Sequence, residues 1–403
     1  MSFDPTPAAL QARIAAISPS QYARTRNDLN GAVTGLSPYI THGLTTLPKV
    51  LEQLRRQHSL DYSHKLLFEF GWREFFQHVA HHLGDEILSD IRDPVWHGDY
   101  ARRVPPDVLQ ACTGVPAIDQ AVRTLYATGY LHNHARMWLA SYLVHLRKVH
   151  WRAGADWMIG YLLDGDLPSN HLSWQWVAGT FASKPYLFNA SNVARYAPSS
   201  WHSPGTVIDA DYPHLEAIAT GRESARLGRP LMGDASEPPA RYPLPEPSWT
   251  DLPRLETLSQ ALQIDGARAV ELVHPWALDV QASPQAEGVV RVAWIEPSFH
   301  RQWSWSEQRW RFVAQAMKHS CGALWQGSAS AIDVAQDRLS MTETLNPGYR
   351  GAHDRVGSLR PSPRFLPQPD RYCASFSKFY EKATGFNAFG PRKHGKRTVP
   401  HQS

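Results

Sequence analysis

The sequence predicts a mostly α-helical fold followed by a smaller α/β-like unit, on three observations. From about Pro38 to Leu163 apolar residues recur at three- and four-residue spacing, with polar turns between the runs. Residues Tyr196 to Trp249 then turn rich in Pro, Ser and Gly. Beyond them, short apolar runs flank one amphipathic stretch, as strands flank a helix in an α/β unit.

Taken in order, LPKVLEQLRRQ, HKLLFEFGWREFFQHVAHHL, PAIDQAVRTLYATG and HARMWLASYLVHLRKV are each long enough for at least two or three helical turns. LLDGDLPSNHLSWQW carries Asp, Gly, Pro, Ser and Asn in quick succession and reads as an ordered loop between helices. GRPLMGDASEPPARYPLPEPSW is the best linker in the chain. After it, GVVRVAWIEP reads as a buried strand, SEQRWRFVAQAMKHS as a helix and GALWQGSAS as another strand. The end, PRKHGKRTVPHQS, groups Arg392, Lys393, Lys396 and Arg397 without apolar periodicity; it reads as a disordered, solubilising tail, with nucleic-acid contact as the alternative. The expected organisation is a helical domain over 1–200, a linker over 201–250, an α/β-like domain over 251–385 and a basic tail over 386–403.

Composition narrows the function classes. A length of 403 residues is more than one hydrophobic core usually serves. The 15 tryptophans are about three times ordinary usage and exclude a low-complexity chain. The net charge of +4 permits polyanion binding without arguing for it. No stretch approaches the roughly 18 to 20 apolar residues of a membrane span, and MSFDPTPAALQAR lacks a secretory pattern, so a soluble cytoplasmic protein is expected. Cys112, Cys321 and Cys373 are scattered, which excludes a disulfide framework and a four-cysteine zinc or iron–sulfur site. Glycine-rich phosphate turns, a nucleophile elbow and a zinc helix motif are missing as well, and no metal site is expected.

What remains is three polar clusters among apolar helices. Glu69, Trp72 and Arg73 share one helix face, either as an intrahelical ion pair beside a core indole or as a working site. Asn133 and Met137 lie one turn apart with Arg136 alongside. Asp164, Asp166 and Asn170 precede Trp174 and Trp176; the aspartates suit a metal site, a helix cap or a partner for Arg136.

In combination and order, RTRNDLNGAVTGLSPYITHG, FEFGWREFFQH, TGVPAIDQAVRTLYATGYLHNHARMWLASYLV and HWRAGADWMIGYLLDGDLPSNHLSWQW resemble the FAD-binding helical domain of the photolyase and cryptochrome family, over roughly Tyr22 to Tyr196. The resemblance implies that Tyr22, Thr34, Leu36 and Ser37 hold the flavin's phosphates and sugar. It implies that Arg136 and Asp164 pair across the isoalloxazine ring, that Asp166 meets the ring's polar edge and that Asn170 faces N5. Plant cryptochromes resemble aspartate at that last position, so Asn170 leans toward the repair enzymes. Glu69, Trp72, Asn133, Met137 and Trp176 match the pocket for a flipped cyclobutane pyrimidine dimer, two indoles as flat walls and two polar groups for base edges or the dimer anion. Six-four photolyases resemble histidine where Asn133 stands. Trp174 and Trp151 match the first members of an electron-hopping row, with Trp96 or Tyr100 as its outer member.

Three departures accompany the resemblance. The family's amino-terminal α/β antenna domain has no room before Tyr22, so no antenna chromophore is expected. An arginine near the DNA backbone has no clean counterpart, with Lys184 and Arg195 the candidates, and the SKPY segment lacks the iron–sulfur cysteines it accompanies elsewhere. The α/β-like region after residue 250 has no counterpart. The expected function is therefore light-dependent repair of UV-damaged DNA by reduced FAD. The alternatives are a blue-light receptor signalling to a protein partner and a scaffold that has lost its flavin.

Overall fold

The computed structural model describes residues 2–386 except 183, 232, 234, 265 and 287, and the basic tail with Arg392, Lys393, Lys396 and Arg397 lies outside the described residues. The first half is helical: α1 (Pro7–Ala15), α2 (Pro19–Thr25), α3 (Ser37–Thr41), α4 (Leu47–Arg55), α5 (Lys65–Leu83), α6 (Pro106–Leu109), α7 (Pro116–Thr128), α8 (Asn133–Ser141), α9 (Trp151–Tyr161), α10 (Leu167–Ala178), α11 (Ala190–Tyr196) and α12 (Tyr212–Ala219). Their ends follow local chemistry. Thr6 and Ser18 cap α1 and α2 through their side-chain oxygens, each with proline in the first turn. Glycines 129 and 179, both with positive φ, end α7 and α10.

One expectation needs correction here. LLDGDLPSNHLSWQW is not a loop throughout: the turn ends at Asp166, and Asn170, Trp174 and Trp176 stand on α10. Asp166 caps that helix by accepting from the Ser169 N–H, and Pro168 sits in its first turn, so the polar residues mark a helix start. Within 201–250, read above as a linker, α12 buries Leu215, Ala217, Ile218 and Ala219.

The second half adds β1 (Arg241–Tyr242), β2 (Arg254–Leu255), β3 (Ala269–Val273), β4 (Gln285–Ala286), β5 (Val289–Ile295), β6 (Trp305–Ser306), β7 (Ala323–Gln326), β8 (Leu339–Thr342) and β9 (Ser358–Arg360), with α13 (Pro297–Gln302), α14 (Glu307–Ser320) and α15 (Phe376–Thr384). The main sheet runs β2-β7-β5-β3-β8-β9, parallel throughout, with β4 antiparallel to β5. Leu272 in β3 lies opposite Val292 on one side and Met341 on the other. The nearly continuous apolar run of β5 is what a strand covered on both faces requires. From β3 the chain proceeds to β5 and β7 on one side and to β8 and β9 on the other, and such a reversal opens a crevice at the strands' carboxyl ends. Here it measures about 390 Å³ and lies between His274 and Trp276 after β3, Glu343 after β8, and Arg73 and Gln77 of α5.

The two halves share one core. Leu10, Tyr39 and Val50 from α1, α3 and α4 belong to the same apolar cluster as Val292, Trp294 and Trp310 of the sheet region. A second cluster joins α7 to α10, and a third packs α5 against α15 through Phe75, Phe376 and Phe379. Trp294, Trp303, Trp305, Trp310 and Trp325 are all fully buried, so much of the indole excess serves as packing. No described helix is long and apolar enough to cross a membrane.

Candidate functional site

Helices α5, α8 and α10 and the corner between α9 and α10 enclose a cavity of about 430 Å³. It receives Glu69 and Trp72 from α5, Asn133, Arg136 and Met137 from α8, Asp164 from the corner, Asn170, Trp174 and Trp176 from α10, and Ser37 from the start of α3. The close approach of α9 to α10 depends on Gly154, where an added Cβ would come within 2.3 Å of the Trp174 ring.

At the cavity's charged end, Arg136 Nη2 donates to Asp164 Oδ1 and Oδ2 at 3.0 and 2.7 Å, and Arg136 Nε donates to Leu131 O at 2.9 Å. Ser37 Oγ–H adds a bond to Asp164 Oδ2 at 2.5 Å. Burial pushes the Asp164 carboxyl up, but Arg136, then Ser37 and the more distant Arg309, hold it below the ordinary carboxylate range. Burial likewise opposes the charge of Arg136, and Asp164 outweighs it. This end is a fixed ion pair presented to the cavity.

The helix-face ion pair considered for Glu69 and Arg73 does not form. Glu69 Oε1 faces Arg26 Nε at 3.5 Å, whereas Arg73 Nη2 reaches Asp166 Oδ1 at 3.6 Å. Burial raises the Glu69 pKa, with Arg26 opposing. Trp72 stacks on Phe376 of α15, ring centres 4.1 Å apart and planes 12° apart, so the α/β half backs this wall of the cavity. Asn133 Nδ2 donates to Met137 Sδ at 3.4 Å, and Asn170 Nδ2 donates to Ala155 O of α9 at 3.0 Å.

Asp166 does not line this cavity. Its carboxylate accepts from Ser169 N–H and Oγ and from Gln77 Nε2, and it lines the crevice at the carboxyl ends of the strands instead. Of the alternatives open for the aspartates, Asp166 is the cap and Asp164 the partner of Arg136. Tyr22 and Thr34 line a neighbouring cavity of about 470 Å³. Leu36 is fully buried and touches neither space; its N–H donates to Thr34 Oγ1 at 3.3 Å. Arg13 also lines the neighbouring cavity, and its Nε is buried with no hydrogen-bond partner among the described residues. Sequence reasoning missed Arg13 because it sits on an ordinary amphipathic helix and no motif surrounds it.

Trp174 and Trp151 are both buried, and Trp151 Nε1–H donates to Asp90 Oδ1 at 2.5 Å. Outward from Trp151 the rings run through His150 at 5.7 Å to Tyr100 at 6.1 Å and then Trp96 at 4.9 Å. Tyr100 thus stands nearer to Trp151 than Trp96 does along this row. A second ring path leaves Trp151 through His171 at 6.0 Å to Trp303 at 6.4 Å.

The family description "FAD binding domain of DNA photolyase" matches residues 66–219. The chain is 34% identical over 171 residues to a deoxyribodipyrimidine photo-lyase of Streptomyces griseus, covering 40% of this chain and 35% of that one. It is 29% identical over 242 residues to a chloroplastic/mitochondrial cryptochrome DASH of Ostreococcus tauri, covering 57% and 44%. A solved cryptochrome of Synechocystis sp. superposes with a TM-score of 0.43 at 26% identity, covering 49% of this chain and 44% of that one. The chain spans less than half the length of these relatives. The helical half, with an ion pair, three indoles and a glutamate around one cavity, is thus similar over residues 66–219 to the FAD-binding domain of DNA photolyase, and its relatives include photolyases and cryptochromes of the DASH type.

Proposed function

We propose that this chain binds FAD and uses it, under blue light, to split cyclobutane pyrimidine dimers in UV-damaged DNA. One observation carries the reading. The Arg136–Asp164 pair and Asn170, which the resemblance gives to the flavin ring, line a single cavity with Glu69, Trp72, Asn133, Met137 and Trp176, which it gives to the dimer. The residues suit the cofactor in two places. The neighbouring cavity is lined by the cationic Arg13 and by the hydroxyl-bearing Tyr22 and Thr34, groups suited to a diphosphate or ribose, and both cavities fall in the usual size range of small-molecule sites, roughly 300 to 1,000 Å³.

Bound in its reduced form, FAD would supply one-electron photochemistry, lending an electron for opening of the cyclobutane ring and regaining it afterwards. The chain's own residues hold the reactants. Arg136 and Asp164 would hold the flavin ring through their ion pair, Trp72 and Trp176 would flank a base pair taken out of the stack, and Glu69 and Asn133 would hydrogen-bond its edges.

The deciding measurement is dimer repair in a thymine oligonucleotide by pre-reduced protein under blue light. Loss of dimers supports the reading. Flavin binding with intact dimers moves the chain to the light-receptor reading, and failure to take up flavin removes both. Replacing Trp174 with Phe is expected to slow photoreduction of the oxidised protein while pre-reduced protein repairs as before; unchanged photoreduction removes Trp174 from the electron row.

A further inference from the structure

We propose that Arg309, carried by the α/β half, is a positioning residue that fixes the Asp164 corner, so that the two halves of the chain complete one cofactor site. The inference rests on the flavin reading above. Arg309 lies in the first turn of α14 and is fully buried. Its Nη1 donates to Ile159 O at 2.7 Å and its Nη2 to Gly165 O at 2.6 Å. These carbonyls bracket the corner that carries Asp164. Ile159 lies in the last turn of α9, where a carbonyl has no partner within its own helix, and the N–H of Leu163 that would continue the ladder donates to Gly129 O instead.

The fit is specific to a flat guanidinium. An added Cβ at Gly165 would come within 2.4 Å of Arg309 Nη1, so only glycine admits the fork. One face of the guanidinium lies over the Trp305 ring at 3.8 Å. A second clamp supports the same turn: His42 Nε2 lies 2.9 Å from Leu163 O, and its Nδ1 lies 2.6 Å from Pro275 O of the α/β half.

Stability alone does not account for such a group. A buried charge is weak evidence of a stabilising role, and Nε of Arg309 has no partner among the described residues. Burial lowers the Arg309 pKa to about 9, with Asp164 and Asp166 opposing. What the position gains is order in charge and geometry: Asp164 stands between Arg136 on the cavity side and Arg309 behind, and its backbone is held from the α/β half.

Full-length Arg309→Lys keeps the charge and loses the fork; Arg309→Met loses both. Both are expected to raise the flavin Kd, Lys by roughly tenfold from the lost second charged hydrogen bond. Met alone is expected to move the bound flavin's midpoint potential more negative, because a nearby cation favours the electron-rich reduced form. In both variants the amides of residues 162–166 should exchange with deuterium faster in the flavin-free protein. Wild-type Kd, potential and exchange in folded Arg309→Met overturn the proposal. If that variant does not fold, unchanged Kd and exchange in Arg309→Lys do so. If the wild-type chain takes up no flavin, the flavin reading falls, and the exchange comparison alone then decides whether Arg309 holds the corner.

Discussion

Replacing Asp164 with alanine is expected to destabilise the chain by about 3 kcal/mol and to abolish flavin retention. The Asp164 side chain is 4% exposed and the Arg136 side chain is 26% exposed. Removing the anion leaves that cation partly buried without a counter-charge, and its partial access to water places the loss at the low end of the range for a broken buried pair. Asp164→Asn keeps an acceptor for Arg136 and Ser37 and should lose less. Acid adds a second signature. Because the folded-state pKa of Asp164 lies below its ordinary value of 3.8, the unfolded chain binds the proton first as pH falls. The pair's stabilisation is complete above the ordinary value and is lost as pH drops through the lower, folded one. Urea unfolding at pH 7 and across the acid range, on wild type and Asp164→Asn, measures both effects; an Asp164→Ala protein of wild-type stability that keeps its flavin overturns the assignment.

Replacing Glu69 with alanine is expected to cut dimer repair by about 10- to 100-fold, the worth of one charged hydrogen bond in the transition state, while flavin stays bound. Glu69 pairs with Arg26, and Arg136 with Asp164, so the loss of Glu69 leaves that second pair intact. Its pKa is raised by burial, so the neutral acid, a hydrogen-bond donor, persists to higher pH than for an exposed glutamate. If the acid form donates to the substrate, repair falls as pH rises through that raised pKa, and Glu69→Gln flattens the profile. Quantum yield against pH for pre-reduced wild type, Glu69→Gln and Glu69→Ala reads this directly. Repair by Glu69→Ala at the wild-type yield removes Glu69 from the substrate site.

These expectations show which parts of the site were legible in the chain's linear order. Asn133, Arg136 and Met137 lie within two turns of one helix, and Glu69 and Trp72 within one turn of another, so helical spacing alone put each group on one face. The same rule misjudged Arg73. Its face allowed Glu69, but the α10 cap brought Asp166 within reach, and no spacing rule sees a neighbour on another helix. Asn170 and Trp174 were read into a loop because Asp, Pro, Ser and Asn mark both turns and helix starts, and only the Asp166 cap distinguishes the two. Arg13 and Arg309 carried no local signal at all.

Local pattern was enough to reveal the helices of the first half, the polar groups that share their faces and the strand–helix–strand unit, because periodicity and caps act over a few residues. That the α/β half is not an appended module follows from contacts between distant segments alone. Arg309 reaches 144 residues back to Gly165 and Trp303 reaches 147 residues back to Asp156. Phe376 stacks on Trp72, and α1, α3 and α4 share their core with the sheet. A pattern of apolar residues states which face is buried, but what covers that face is set by shape and contact between distant segments.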